Sequence, residues 1–409
     1  MKTLRYLLLT TTIFCSFRVI AQRDTSLLSK SNAAPVSTAI VDSAKQRDMI
    51  DVILRILKKD TASNSRLKAK KLVFSVVPAI GYSLSTGFAA DITANVAFYT
   101  GDPHTENLSA IDAEFVYDTK SQRILASRSE VWFDKNKFKL TTDLRVERYP
   151  VDTYGLGSGT TSATDDPIVY SYVRTYGTLF KEIVPDLYGG LGYQGDFHYN
   201  ITQQGNANGT VSDYTKYGFS STATSSGLVA NLLYDNRRNP INPINGGYAS
   251  IQYRDNFTFL GSDNNWQELQ IDLRKYFRLS PNNYNMLALW SITEFTSGNA
   301  PYLDLPATGS DTYNNFGRGY AEQRFRGKDL LYLEGEFRFG ILKNGLIGGV
   351  VFANGETFSG LNTGFRRVDP AVGTGIRLKI NKHSDTNVCI DYAYGVGSHG
   401  LFVNLGENF

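Results

Sequence analysis

The sequence has few cysteines, methionines and prolines, and no long apolar segment. Its 409 residues include 2 Cys, 3 Met and 12 Pro. Cys15 lies in a predicted signal peptide, which leaves Cys389 as the single thiol of the mature chain. This excludes an intramolecular disulfide and a CxxC zinc site. After the signal, no stretch reaches 18 uninterrupted apolar residues, so a transmembrane helix is not predicted in the mature chain.

Motifs of the common hydrolases and nucleotide-binding enzymes are also missing. The sequence contains no GxSxG, no HExxH and no phosphate-binding loop. Ser384 and Asp385 adjoin His383, but neighbours along a strand point to opposite faces and do not form a catalytic triad. We therefore expect no enzymatic activity, no metal and no cofactor. The net charge of +3 does not indicate a nucleic-acid partner.

The chain is instead rich in residues that favour strands and tight turns. It contains 25 Tyr, 24 Phe and 37 Gly, a bias typical of β-proteins. Mean hydropathy is slightly negative, as in soluble proteins. A transmembrane β-barrel gives the same value, because every second residue of its strands faces the lumen.

Three regions follow one another along the chain. Residues 1–21 are predicted to be a cleaved signal peptide, with a basic start, an apolar centre and a cleavage site after Ala21. Residues 22–70 form a periplasmic tether. Within it, 43–59 has apolar residues at helical spacing and predicts an amphipathic helix that plugs the barrel mouth, lies on the membrane, docks a partner or packs against barrel turns. Residues 71–409 have the alternating pattern of strands.

About sixteen strands are predicted, an even number, as in closed antiparallel barrels whose backbone stays paired in lipid. The fold class is therefore all-β, a transmembrane antiparallel β-barrel. Longer connections near 150–167, 201–224, 298–328 and 357–370 would be extracellular loops. The predicted ranges are 71–83, 87–100, 108–119, 123–133, 137–149, 168–182, 185–200, 225–236, 247–260, 265–279, 284–297, 329–340, 346–356, 371–382, 386–396 and 400–409.

The last predicted strand, 400–409, places Leu401, Val403, Leu405 and Phe409 on one face. A final strand that stops at an aromatic residue resembles the sorting signature of bacterial outer-membrane proteins. We therefore expect export to the outer membrane, with outer-membrane lipids as the surroundings of the chain.

The segment 316–339, FGRGYAEQRFRGKDLLYLEGEFRF, combines a compact Arg-Gly-Tyr with a strand that has one polar face. The polar face carries Tyr332, Glu334, Glu336 and Arg338, which would be costly in a dry core and suits the wall of a water-filled tube. The connection before this strand, 298–328, is too long for an ordinary hairpin turn. It predicts a long lumen-directed loop.

Three stretches together resemble the barrel of the BamA/TamA superfamily, the sixteen-stranded insertases and translocators also called surface-antigen barrels. They are YDNRRNPINPINGGY at 234–248, RGY at 318–320 followed by EGEFRF, and the closing series GGVVFANGETF, VGTGIRLKI, VCIDYAYGVG and GLFVNLGENF. The resemblance covers roughly 71–409 and is strongest after residue 225.

The resemblance implies that the sixth extracellular loop folds into the lumen. There, the arginine of the family's RGF/RGY tip contacts an aspartate on the inner wall. By position Arg318, Gly319 and Tyr320 form this tip. The aspartate position is occupied by Asn354, which predicts a weaker charge-to-amide hydrogen bond. Asp391 and Glu336 are the alternative partners of Arg318.

Two functions from different classes are compatible with these observations. The first is outer-membrane protein assembly or translocation on a weak seam between the strands at 71–83 and 400–409, with unfolded client chains or a periplasmic partner. The second is a passive channel or structural barrel. Family insertases carry periplasmic POTRA domains, for which the 50 or so residues between the predicted signal and the first strand are too few. We expect a monomer.

Overall fold

The computed structural model describes residues 46–49, 51–52, 72–83, 87–102, 105–206, 208–237, 239–280, 285–382 and 385–409. Within 72–83 it describes the backbone and the Val76 side chain. The predicted signal peptide, most of the tether and most of the predicted helix at 43–59 lie outside the described residues. The predictions for these segments therefore remain predictions.

Sixteen strands make up most of the described chain. They are β1 (Leu72–Ser83), β2 (Gly87–Phe98), β3 (Ser109–Asp118), β4 (Arg123–Phe133), β5 (Phe138–Thr153), β6 (Asp166–Val184), β7 (Leu187–Gln203), β8 (Ala223–Asp235), β9 (Gly246–Asn256), β10 (Trp266–Arg278), β11 (Met286–Gly298), β12 (Asp329–Gly340), β13 (Ile347–Phe358), β14 (Asp369–Asn381), β15 (Thr386–Gly395) and β16 (Ser398–Leu405). From β1 onwards, the helical elements of the described chain are α1 (Asp213–Gly218) and single 3-10 turns at Ser162–Thr164, Thr258–Leu260 and Tyr302–Asp304.

All sixteen strands belong to one sheet, in which each pairs antiparallel with its neighbours in chain order. The predicted all-β antiparallel class is therefore confirmed. Because consecutive strands are antiparallel, every connection from an odd to an even strand lies at the same end of the sheet. The four long connections join β5 to β6, β7 to β8, β11 to β12 and β13 to β14, so they all lie at that end.

In this sheet the charged face is buried and the apolar face is exposed, which is the opposite of the arrangement in a soluble protein. On β12 the buried residues include Glu334, Glu336 and Arg338, whereas Leu333 on the other face is 49% exposed. The same pattern recurs on β15, where Asp391 is buried and Ile390 is 43% exposed. Water does not favour an apolar outer surface of this extent, but hydrocarbon does. We call the polar, buried side of the sheet its inner face.

The first and last strands approach each other. Cα atoms of β1 and β16 come within 8 Å, although no hydrogen-bonded ladder joins these two strands in the described backbone. β16 ends at Leu405, before the predicted end of the last strand at 409. No helix in the described part of the chain is long and apolar enough to cross a membrane.

The prediction for Phe409 is wrong. Gly406 has φ of 92°, a left-handed conformation that ends the strand and that glycine adopts without a steric penalty. The chain then turns to the inner face, where Phe409 is 3% exposed and lies 4.9 Å from the Trp290 ring. Phe409 therefore does not continue the outward row of Leu401, Val403 and Leu405.

The described part of the tether contacts two turns of the sheet. Asp48 begins a helical turn, since its carboxylate accepts a hydrogen bond from the Asp51 backbone N–H at 2.8 Å. Arg47 N–H donates to the Asn344 carbonyl between β12 and β13. Lys382, between β14 and β15, donates its backbone N–H to Asp48 and its Nζ to Asp51 at 2.7 Å. Residues 46–49 and 51–52 therefore lie at the end of the sheet opposite the long connections.

Candidate functional site

The connection between β11 and β12, residues 299–328, folds against the inner face of the sheet. We call it the inner loop. Arg145 of β5 donates to the Thr312 carbonyl at 2.7 Å, and Ser225 of β8 donates to the Asp304 carboxylate at 2.5 Å. Because these contacts come from strands far from β11 and β12 in the sheet, the loop crosses the interior. This agrees with the lumen-directed loop that the length of the segment predicts.

Arg318 is a buried charged residue of the inner loop. Its side chain is 2% exposed, and its guanidinium donates to Glu334, to Glu336 and, at 2.5 Å, to Asp391. The guanidinium also lies 3.6 Å from the centre of the Phe352 ring. Three carboxylates and an aromatic face offset the desolvation of one buried cation. Arg318 therefore ties the loop to β12, β13 and β15 at once.

Gly319 allows the loop to reach the wall. Its φ is 112°, and a Cβ placed on it would lie 2.6 Å from the Cβ of Ala371. Both the backbone conformation and the close approach therefore require glycine. Tyr320 is 2% exposed; its hydroxyl donates to the Pro370 carbonyl at 2.7 Å and accepts from the Val396 N–H at 2.9 Å. The three residues of the predicted tip thus contact β12 to β15 together.

Asn354 makes a different contact from the expected one. Its Nδ2 donates to the backbone carbonyl of Arg318 at 2.9 Å, so its partner is not the guanidinium. Of the candidate partners, Glu336 and Asp391 accept from the guanidinium. Asn354 is positioned to hold the backbone of the tip, and the charge of Arg318 is balanced elsewhere.

Sequence reasoning did not identify two of the groups around Arg318. Glu334 had a signal, because it lies on the same polar face of β12 as Glu336. Phe352 lies two residues before Asn354 on β13 and therefore on the same face, a spacing that marks it as a neighbour of the tip. The pattern of β12 alone does not show which of its carboxylates the arginine reaches.

Other basic residues of the inner loop stabilise its conformation. Arg326 is 2% exposed and donates from Nη1 to the carbonyls of Tyr302, Leu303 and Leu305 at 2.9–3.1 Å. Arg324 Nη1 donates to Thr160 Oγ1 at 2.9 Å, in the connection between β5 and β6. These contacts give the loop a defined conformation under the neighbouring connection.

Asp304 anchors the start of the inner loop near the end that carries the long connections. Its carboxylate lies 3.6 Å from His198 Nδ1, and both side chains are at most 5% exposed. Burial, together with the nearby charge of Asp196, raises the pKa of Asp304 to about 8. The docked loop therefore favours the protonated carboxyl.

No protein-family model and no curated protein matches the sequence. Solved structures do match the fold. BamA from Haemophilus ducreyi lacking POTRA domains 1–3 is 16% identical, with a TM-score of 0.53 over 81% of this chain and 70% of that chain. CdiB from Acinetobacter baumannii is 12% identical, with a TM-score of 0.53, and CdiB from Escherichia coli is 9% identical, with a TM-score of 0.56. Both CdiB matches cover 83% of this chain, and 60% and 62% of the respective CdiB chains.

The fold therefore resembles that of the BamA and CdiB barrels. At identities this low the match concerns architecture, and the chain spans less than two thirds of either CdiB protein. Within this barrel fold, the inner loop corresponds to the loop that the resemblance places in the lumen. The arrangement around Arg318 binds the inner loop to the inner face of the sheet.

Proposed function

We propose that the chain is an outer-membrane β-barrel that assists the insertion or translocation of other outer-membrane polypeptides. The single observation that carries this proposal is the inner loop, fixed by Arg318 to the inner wall of a sheet with the BamA and CdiB fold. An open pore would be obstructed by a large interior segment bound by a buried arginine to three carboxylates.

The seam between β1 and β16 supports the proposal. These strands approach each other, yet the described backbone shows no ladder between them. Unpaired N–H and C=O groups on two neighbouring edges are templates for an incoming strand. A client strand that pairs there would satisfy backbone groups that lipid cannot satisfy. The exposed apolar side chains on the outer face suit the surrounding hydrocarbon.

The proposal is tested by reconstituting the mature protein in liposomes and adding an unfolded outer-membrane barrel as client. We expect client folding to be faster than in empty liposomes, and faster than with Arg318→Ala protein at equal folded content. A matched variant without residues 22–70 shows whether the tether is required. Equal client folding with and without the protein would reject the assembly function.

A passive channel or structural barrel is the second candidate. The dense contacts of the inner loop favour a static plug. The same liposomes discriminate the two functions, because a passive channel or a plugged structural barrel leaves client folding unchanged. An open channel also conducts ions steadily, whereas a plugged structural barrel does not. An assembly barrel with a docked loop conducts poorly until Arg318 is replaced.

A further inference from the structure

The residues that bind Arg318 also bind the segment that follows β16. Two of its carboxylate partners, Glu336 and Asp391, are themselves paired with Arg338 and Arg377. These two arginines both contact Glu407, at 3.4 Å from Arg338 Nε and 2.8 Å from Arg377 Nε.

The contacts close into a ring of six alternating charges. In order, it runs through Arg318, Asp391, Arg377, Glu407, Arg338 and Glu336, and returns to Arg318. Every side chain of the ring is at most 6% exposed. Three arginines balance three carboxylates within the ring, and Glu334, which also pairs with Arg318, is a fourth buried carboxylate beside it.

The ring joins three parts of the chain. Arg318 belongs to the inner loop, Glu407 belongs to the segment 406–409, and the other four residues belong to β12, β14 and β15. A second set of contacts links the loop to this segment directly. Asn315 Nδ2 donates to the Asn408 carbonyl at 2.8 Å, and Asn408 Nδ2 donates to the Asn315 carbonyl at 3.1 Å.

The segment 406–409 also contacts the connection between β8 and β9. Glu407 N–H donates to the carbonyl of Ile241, in the connection between β8 and β9. Asn242 of the same connection donates to the Asp385 carbonyl between β14 and β15. The motif at 234–248, which carries much of the sequence resemblance, therefore contacts the segment that the ring holds.

We propose that the inner loop and the segment 406–409 are docked and released together, with the ring as the coupling between them. If Arg318 leaves, Arg338 and Arg377 are the remaining cations of the ring for its three carboxylates. Of these carboxylates, Glu407 alone lies outside a strand, so it is the one that can move away. Release of the loop thus favours release of the segment, and the converse follows because coupling free energies are reciprocal. This inference stands whether or not the barrel acts on client chains.

Cys389 reports the position of the segment. Its side chain is 2% exposed and its S–H donates to the Gly406 carbonyl at 3.0 Å, so the segment covers the thiol. In the full-length folded protein with Cys15→Ser, Cys389 is the single cysteine. Its alkylation by a small maleimide therefore measures how often the segment is displaced.

The first measurement is the alkylation rate of Cys389 in Arg318→Gln protein. We expect it to rise by roughly 5- to 150-fold, the usual range of coupling between sites. The matched control is Arg128→Gln, because Arg128 is an inner-wall arginine that pairs with Glu114 at 2.9 Å outside the ring. The control should stay within about twofold of the unmodified protein, because this pair is partly exposed and contributes little. No increase with Arg318→Gln overturns the inference.

Loss of the loop would also admit water to Cys389, and the reverse experiment separates this effect from coupling. Glu407→Gln should speed hydrogen–deuterium exchange of peptides covering 311–325, although Glu407 makes no ion pair with that stretch other than through the ring. Asn387→Ala, which removes the hydrogen bond from Asn387 Nδ2 to Glu407 at 2.7 Å, serves if Glu407→Gln does not fold. Folded content is checked by heat-modifiable electrophoretic mobility. Unchanged exchange of 311–325 in a folded variant would show that the segment moves independently.

The double variant Arg318→Gln/Glu407→Gln distinguishes coupled release of the loop and the segment from two independent effects. Coupled elements give a double variant whose Cys389 rate is close to that of the faster single variant, since either change already releases both elements. Effects that multiply would show two independent contacts and overturn the inference.

Discussion

Two parts of the inner wall use the same residue types and behave differently. The wall of β2 to β4 carries Asp91, Asp112, Glu114 and Arg128, all partly exposed. The wall of β12 to β15 also carries carboxylates and arginines, and these are almost completely buried: Glu334, Glu336, Arg338, Arg377 and Asp391. The two walls differ in what lies on them. The inner loop and residues 406–409 both pack on the wall of β12 to β15. On the wall of β2 to β4, the described contacts with the loop include the Tyr313 ring, 5.3 Å from the Arg128 guanidinium.

The comparison shows that a polar strand face does not by itself state its role. On β2 to β4 the charges remain near water and each pair contributes little. On β12 to β15 the same chemistry is desolvated, so every charge needs a partner and removal of one leaves the others uncompensated. The same substitution should therefore destabilise the protein more on the wall of β12 to β15 than on the wall of β2 to β4.

The largest effect is expected for Arg318→Ala. This change leaves Glu334, Glu336 and Asp391 buried around an empty position, and we expect the free energy of unfolding to fall by about 3–5 kcal/mol. Denaturant unfolding of the barrel in detergent measures it. Arg128→Ala is the control, with a loss of no more than about 1 kcal/mol because its pair with Glu114 is partly exposed. Equal losses in the two variants would contradict the contrast between the walls.

Gly319→Ala should weaken loop docking next. The residue has positive φ and its added Cβ would meet Ala371, so a cost of about 1–3 kcal/mol is expected. Hydrogen–deuterium exchange of the inner loop measures the loss of protection. Gly205→Ala tests the conformational part alone, because Gly205 has φ of 83° and nothing within 4 Å of the added Cβ. We expect hydrogen–deuterium exchange of the inner loop to be faster in Gly319→Ala protein than in Gly205→Ala protein.

Loop docking should weaken as pH rises. The pKa of Asp304 is raised to about 8 in the docked state, above the ordinary value of 3.8. Its stabilising contribution is therefore complete below pH 3.8 and is lost as pH increases towards 8, by at most about 1.4 kcal/mol per pH unit. Protease sensitivity of the inner loop between pH 5 and 9 measures the trend. Asp304→Asn, which is neutral throughout, should remove this part of the pH dependence.

The smallest effect is expected for Glu114→Gln on the open wall. Its side chain is 28% exposed and its partner Arg128 is 15% exposed, so the free energy of unfolding should change by about 1 kcal/mol or less. Increasing the salt concentration should reduce even this difference. A loss comparable with that of Arg318→Ala would mean that the wall of β2 to β4 is also desolvated.

Much of the fold follows from alternation in the sequence. The outward row of Leu331, Leu333, Phe337 and Phe339 and the inward row from Tyr332 to Arg338 are both found on β12 as predicted. The period of two is a local property, so a strand and its two faces can be recognised without knowing its neighbours. The inner loop was recognisable as well, because its length does not suit a hairpin turn.

The partners inside the barrel could not be predicted in the same way. Asn354 was expected to meet the guanidinium of Arg318 and instead holds its carbonyl. Phe409 was expected to complete an outward row and lies on Trp290 inside. Both depend on contacts between residues distant in the chain, for which the sequence carries no periodic signal.

The sequence by itself determined the strands, their order of faces and the position of the long loop, because backbone geometry converts residue alternation directly into two faces. Only the tertiary structure decided which charges meet. The ring from Arg318 to Glu407 requires β12, β14, β15, the inner loop and residues 406–409 to converge, and only that convergence excludes the water that would otherwise keep these charges apart.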